Sequence, residues 1–179
     1  MKAASGELTV TKRELLIDGS DDAFRHLVHD LLAFSVRIQE IRNGLAEVIG
    51  LTGTQYTVLI SISRSTGAAI GINKIAEELH LSGAFITIAV NALVKMRLVK
   101  KKVNREDRRR VLLTLTPNGQ TLLSELATVQ RPVNDALFEC LGAEDFRHLQ
   151  DIMPRLVGSA EQAIRLITFI KGAAVSGNE

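Results

Sequence analysis

The feature that most limits the fold is a change of period. From residue 20 to residue 96 the apolar residues recur about every 3.6 positions, the spacing of one helix face. Over residues 98–116 they alternate, as in a strand, and at Thr116-Pro117 the helical spacing returns. A chain that is helical on both sides of one short hairpin has few ways to fold. The hairpin must lie against the helices that flank it.

The helices can be placed by their ends. Ser20-Asp21-Asp22 reads as a helix start, and Phe24, Leu27, Val28, Leu31, Phe34, Ile38, Ile41, Leu45 and Val48 run down about seven turns to Gly50, which closes the helix. Thr52 caps a second helix to Ser63. A turn over 65–71 leads into a short helix, 73–80, and Ser82 caps the next, 83–96. Leu98–Asn104 and Arg110–Thr116 form the two strands. Thr116 then caps a helix with Pro117 in its first position, running to about Cys140. A last helix spans 144 to about 170, with Pro154 predicted to kink it. The fold class is mainly α with a two-stranded β-wing: a winged helix-turn-helix domain plus N- and C-terminal dimerisation helices. The boundaries are a flexible N-terminal arm over 1–19, a dimerisation helix over 20–50, the winged domain over 51–116, C-terminal dimerisation helices over 117–171 and a tail over 172–179.

Net charge is only +2, but its distribution is uneven. Residues 95–110 hold nine basic and two acidic side chains, a net +7; the other 13 basic and 18 acidic residues give −5. A basic block on an otherwise acidic chain is the footprint of a polyanion site. Taken alone it also fits a solvated, charged hairpin. Its position beside a helix-turn-helix pattern favours the first reading.

Other classes find little support. No uncharged apolar run approaches the roughly 20 residues of a membrane span, and the first 18 residues lack the pattern of a secretory signal. The single Cys140 cannot form an intrachain disulfide, so a reducing, cytoplasmic location is expected; a structural, partly buried thiol suits it better than a redox sensor. His26, His29 and Asp30 sit within one turn, but nothing completes a metal set, and neither metal nor cofactor is expected. There is no nucleophile elbow, phosphate-cradling glycine loop or zinc-protease helix pattern, so no enzyme is expected.

Helix, turn, helix and basic hairpin each have a use on duplex DNA. The major groove, about 12 Å wide, admits one helix, and the helix before it braces the entry angle. A hairpin reaches the neighbouring minor groove, where arginine senses narrow, electronegative tracts. Lys100, Lys101 and Lys102 are placed to meet the phosphates in between.

The segment Arg105-Glu106-Asp107-Arg108-Arg109-Arg110-Val111-Leu112-Leu113-Thr114-Leu115-Thr116-Pro117-Asn118-Gly119 resembles the wing of the MarR family of bacterial transcription regulators. Residues 50–59 and 72–81 resemble the same family more weakly. The resemblance covers about 21–166. It implies a homodimer with interlocked terminal helices, two winged domains on a pseudo-palindrome of double-stranded DNA, and release by a small-molecule effector, an aromatic or phenolic acid or its thioester. It implies that Arg109 enters the minor groove, that Asp107 orients the turn, that Arg105, Arg108 and Arg110 support it, and that Ser82, Thr87, Asn91 and Lys95 lie on the DNA side of the recognition helix. It places an effector pocket near Ser35, Ile38, Tyr56, Leu59 and Ser63, with Arg37 or Arg42 holding an anionic group. The chain departs from the family's common residues at Ile88 and Ala92, where basic residues are frequent, and at Arg97, where glycine is. The exposed recognition face is therefore short of base-edge donors. A non-specific architectural DNA binder and a winged-helix module that binds protein are the alternative functions.

Overall fold

The computed structural model describes residues 7–65, 69–103 and 111–176. Two compact units divide it, 1–130 and 131–179.

The first unit opens on the arm, which carries more structure than its poor patterning predicts. A short 3-10 turn spans Arg13–Leu15, and Ile17 bridges Ser20 across a tight turn in which Asp18 and Gly19 both take positive φ. The Thr9 backbone N–H and hydroxyl both donate to the Asp21 carboxylate, at 2.6 and 2.5 Å, and Arg25 pairs with its other oxygen. Asp21 is thus buried and committed sideways, which is why it makes no cap bond to the helix it precedes; the Ser20 hydroxyl accepts from the Asp22 N–H instead. These bonds hold the carboxyl well below its usual range, chiefly through Arg25 and then Thr9.

Helix α1, Asp22–Val48, ends as Gly50 predicts. Gly50 adopts φ +69°, its N–H donates to the Glu47 carbonyl and that of Leu51 to Ala46. Helix α2, Gly53–Arg64, starts after an 86° bend. Its Thr52 hydroxyl accepts from the Gln55 N–H while the Gln55 side chain accepts from the Thr52 N–H, a reciprocal capping box. Helix α3, Ile72–Leu79, and helix α4, Gly83–Lys95, follow, the latter capped by Ser82.

The wing strands are β2, Val99–Val103, and β3, Val111–Leu115, preceded in the chain by a two-residue strand, β1, Ile70–Gly71. The sheet therefore has three antiparallel strands in the order β1-β3-β2, one more than the two-stranded wing expected from sequence. Strand β1 was hidden because two residues show no period, and the glycines around it read as a turn. Its pairing of Ile70 with Leu113 ties the start of α3 to the hairpin.

Among the described residues, the buried apolar side chains all lie within residues 45–126. Val58, Leu59, Ile75, Ile86, Val90, Leu93 and Leu113 are shut off from solvent, and Leu126 of helix α5, Pro117–Leu137, is as deep. Gly119 lets α5 leave the sheet closely: a Cβ there would lie 2.3 Å from the Leu98 carbonyl oxygen. The preceding Thr116 ties the same corner, donating its N–H to Leu98 and its hydroxyl to the Arg97 carbonyl while accepting from the Gly119 N–H.

In the second unit, helix α6, Ala143–Ser176, continues through Pro154 and into the residues read as a tail. None of its described side chains is buried. Helix α5 ends at Leu137, three residues short of Cys140, and Cys140 is exposed rather than partly buried, because it sits in the turn after the helix. No single helix among the described residues is long and apolar enough to cross a membrane.

Candidate nucleic-acid interface

Helix α4 turns one side to the core and the other to solvent. Ile86, Ala89, Val90 and Leu93 are buried; Ala84, Phe85, Ile88, Asn91 and Lys95 are exposed, Ile88 to 68%. Ser82 spends its hydroxyl on the Phe85 N–H, and Thr87, half-buried, donates to the Gly83 carbonyl at 2.8 Å. Both are occupied by the helix itself. Asn91 and Lys95 stay on the open face.

The helix ends at a position that explains one departure from the family's common residues. Arg97 takes φ +59°, with its N–H on Val94 and that of Leu98 on Leu93. This left-handed closure favours glycine. Arg97 adopts it at a conformational cost and keeps a cation at the helix end, where the dipole is negative.

Register decides where the wing lysines go. Lys101 stands opposite the buried Leu113, while Lys100 and Lys102 stand opposite Thr114 and Leu112 on the other face. Lys101 therefore leaves the sheet on the side of the helices, and its Nζ donates to the Asn91 Oδ1 at 2.5 Å. This bond joins the wing strand to helix α4 across ten residues of sequence. Neither residue alone signals it. Arg105, Asp107, Arg108, Arg109 and Arg110 lie outside the described residues.

Residues 49–110 match the sequence pattern of the MarR family. An HTH-type regulator of Bacillus subtilis, YhbI, is 25% identical over 154 residues, 86% of this chain and 95% of its own. Over residues 49–110 the chain is therefore similar to MarR-family regulators. Its fold is likewise that of the Escherichia coli MarR mutant complexed with operator DNA, at TM-score 0.61 and 21% identity over 75% of this chain and 94% of that one. The PcaV regulator of Streptomyces coelicolor, in complex with its natural ligand, shares the fold at TM-score 0.56 and 23% identity, over 70% and 90% of the two chains.

Of the effector residues expected from the sequence, the structure joins two. Arg42 lies over the Tyr56 ring, 5.9 Å from its centroid, and donates from one terminal nitrogen to the Thr57 hydroxyl. Its Nε is buried and has no hydrogen-bond partner. Tyr56 is buried, and its hydroxyl accepts from Gln130 at 3.1 Å. Burial pushes the Tyr56 phenol up, against the pull of the nearby Arg42 charge. Thr57 and Gln130 were not legible as members of this group, since Gln130 lies 74 residues along the chain.

The remaining five are dispersed. Ser35 and Arg37 face solvent, one bonded to the Leu32 carbonyl and the other to Glu40; Ile38 is half-exposed; Leu59 is sealed in the core. Ser63 borders a separate cleft of about 650 Å³, which Ala69, Lys100, Lys101, Lys102, Thr114 and Gln120 also line.

Proposed function

We propose that this protein is a cytoplasmic homodimeric repressor of the MarR type that holds a pseudo-palindromic operator and lets it go when a small ligand binds. The observation that carries the reading is the pairing of an exposed α4 face with a lysine-bearing strand hydrogen-bonded to it. As proposed, the α4 face enters a major groove, and the strand joined to it brings Lys100 and Lys102, on its other face, towards the flanking phosphates. In this reading Lys95, Lys100 and Lys102 meet phosphates, Ser82 and Thr87 hold the helix start in position, and Arg109 leads Arg105, Arg108 and Arg110 into the minor groove with Asp107 orienting the turn.

Dimerisation is supported by the apolar side chains left open on α1 and α6. On α6, Phe146, Leu149, Met153, Leu156, Ala160, Ala163, Ile167 and Ile170 alternate spacings of three and four, the seam of a left-handed helix pair. Ligand release is assigned to the Arg42–Tyr56 group. The unpartnered Nε of Arg42 is a buried donor in need of an acceptor, and the carboxylate of an aromatic acid lying against Tyr56 would supply it. Binding there would favour a dimer geometry in which the two recognition helices no longer match successive half-sites.

The test is fluorescence anisotropy on the duplex upstream of the protein's own gene, with unrelated duplex as competitor. Tight binding that resists the competitor and collapses in Arg109→Ala supports a sequence-specific regulator. The apolar α4 face favours one second reading, a non-specific architectural binder, and equal displacement by the competitor would select it.

A further inference from the structure

Resting on the reading of α4 as the helix that enters the major groove, we propose that its open face reads thymine next to guanine in each half-site, and that Lys101 sets the guanine preference by occupying the acceptor end of Asn91. Residues 84, 88, 91 and 95 fall on one line of the helix, and the line divides in two. Its first part is apolar, with Ala84 and Ile88, and Phe85 lies to one side of it, the two large side chains exposed to 47% (Phe85) and 68% (Ile88). Thymine is the one base that offers a methyl group in the major groove. An exposed phenylalanine and isoleucine on a groove-facing helix have that methyl as their best complement.

The second part is built of donors. A lysine ammonium can only donate, so the atom of Asn91 that meets Lys101 must be the amide oxygen, and the amino group faces away from it. An asparagine free to present both ends pairs with adenine, giving to N7 and taking from the N6 amino group. Here one lone pair of the accepting end is taken by a cation, whose charge disfavours a second donor at the same oxygen. What remains toward the groove is the Asn91 amino group, the spare protons of Lys101 and the ammonium of Lys95. A donors-only surface fits guanine, whose N7 and O6 both accept, and meets the N6 amino group of adenine donor against donor. Ile88 and Asn91 are separated by about 4.5 Å along the helix, little more than one base step. The thymine and the guanine therefore lie within two adjacent base pairs.

The experiment starts by selecting duplexes from a random pool with the full-length protein and measuring affinity for the winner by anisotropy. Uracil in place of the thymine removes only the methyl, and roughly fourfold weaker binding is expected per methyl. Replacing the guanine by 7-deazaguanine or by adenine is expected to cost about tenfold or more. In Lys101→Met the amide is released and can turn, so the guanine-over-adenine ratio should fall to within about threefold. Lys102→Met, on the other sheet face, removes the same charge and should weaken both duplexes alike with the ratio unchanged. Thermal melting of both variants checks the fold, and the base-analogue series on the unaltered protein stands without them. An enriched sequence lacking the thymine–guanine step, indifference to the analogues, or an unchanged ratio in a folded Lys101→Met would overturn the proposal and leave the regulator reading intact. A pool that yields no enriched sequence would overturn both.

Discussion

Leu59 and Leu93 in the winged domain have no exposed surface, whereas Leu156 and Ile167 on α6, side chains of the same size and polarity, are about half open to solvent. The two regions do not differ in hydrophobic content. They differ in what the chain folds back against them. Around the hairpin, helices α2, α3 and α4 converge on three strands, and their apolar stripes cover one another within the same unit. The long terminal helices present their stripes with no such cover from their own unit. Exposed apolar stripes of this kind are what an association site presents, and the proposed homodimer would cover them.

That contrast can be broken at either end. The largest effect should come from the core: Leu93→Ala removes a sealed side chain, and the loss expected is about 2–5 kcal/mol, read by denaturant unfolding and independent of protein concentration. A concentration-dependent result would mean that the winged domain also leans on a partner. Introducing charge on α6, with Met153→Glu and Ile167→Glu together, should do the reverse. Sedimentation should show dimer dissociation shifted by at least about tenfold, while the winged domain's own unfolding stays in place; an unchanged dimer would remove α6 from the interface.

Smaller effects sharpen the picture inside the winged domain. Gly119→Ala drives a methyl onto the Leu98 carbonyl, and about 1–3 kcal/mol of destabilisation is expected, since the Thr116 bonds hold that corner shut. Arg97→Gly should gain up to about 1 kcal/mol by relieving the left-handed backbone; a loss would show that the arginine contributes contacts worth more than the strain.

The smallest change concerns the arm. Because Asp21 titrates below its ordinary value of 3.8, the clasp that it makes with Thr9 and Arg25 is fully present above that value and is lost only as the pH falls further. Hydrogen exchange of the Thr9 amide should stay slow at about pH 3, where ordinary carboxyls are largely protonated, and become fast in Asp21→Asn. Fast exchange at pH 4 in the unaltered protein would count against the clasp.

Much of this could be read one residue at a time. Thr52 with Gln55, Ser82, Thr116 before Pro117, and Gly50 are local signals, because a cap or a left-handed turn is settled within four or five residues. The wing strands were legible for the same reason, as a period of two depends only on neighbours. The site was legible less evenly. Asn91, Lys95 and the three lysines were picked out as candidates by charge and helix position, yet their partners were not. Asp21 read only as part of a helix start and is the centre of a clasp with Thr9 and Arg25, because a residue 12 positions back supplies bonds that no local pattern records. Strand β1 was missed since its reason to exist is β3, about 40 residues on.

The order of the elements, their ends and the basic character of the wing were therefore determined by the sequence itself, since periodicity, capping and charge are properties of short stretches of chain. Only the tertiary structure decided which lysine faces the recognition helix, which arginine keeps a buried donor free, and which apolar stripes are covered. Those outcomes depend on register and on packing between distant segments. A shift of one residue in β2 would exchange Lys101 with its neighbours across the sheet, and no local pattern in the chain records that choice.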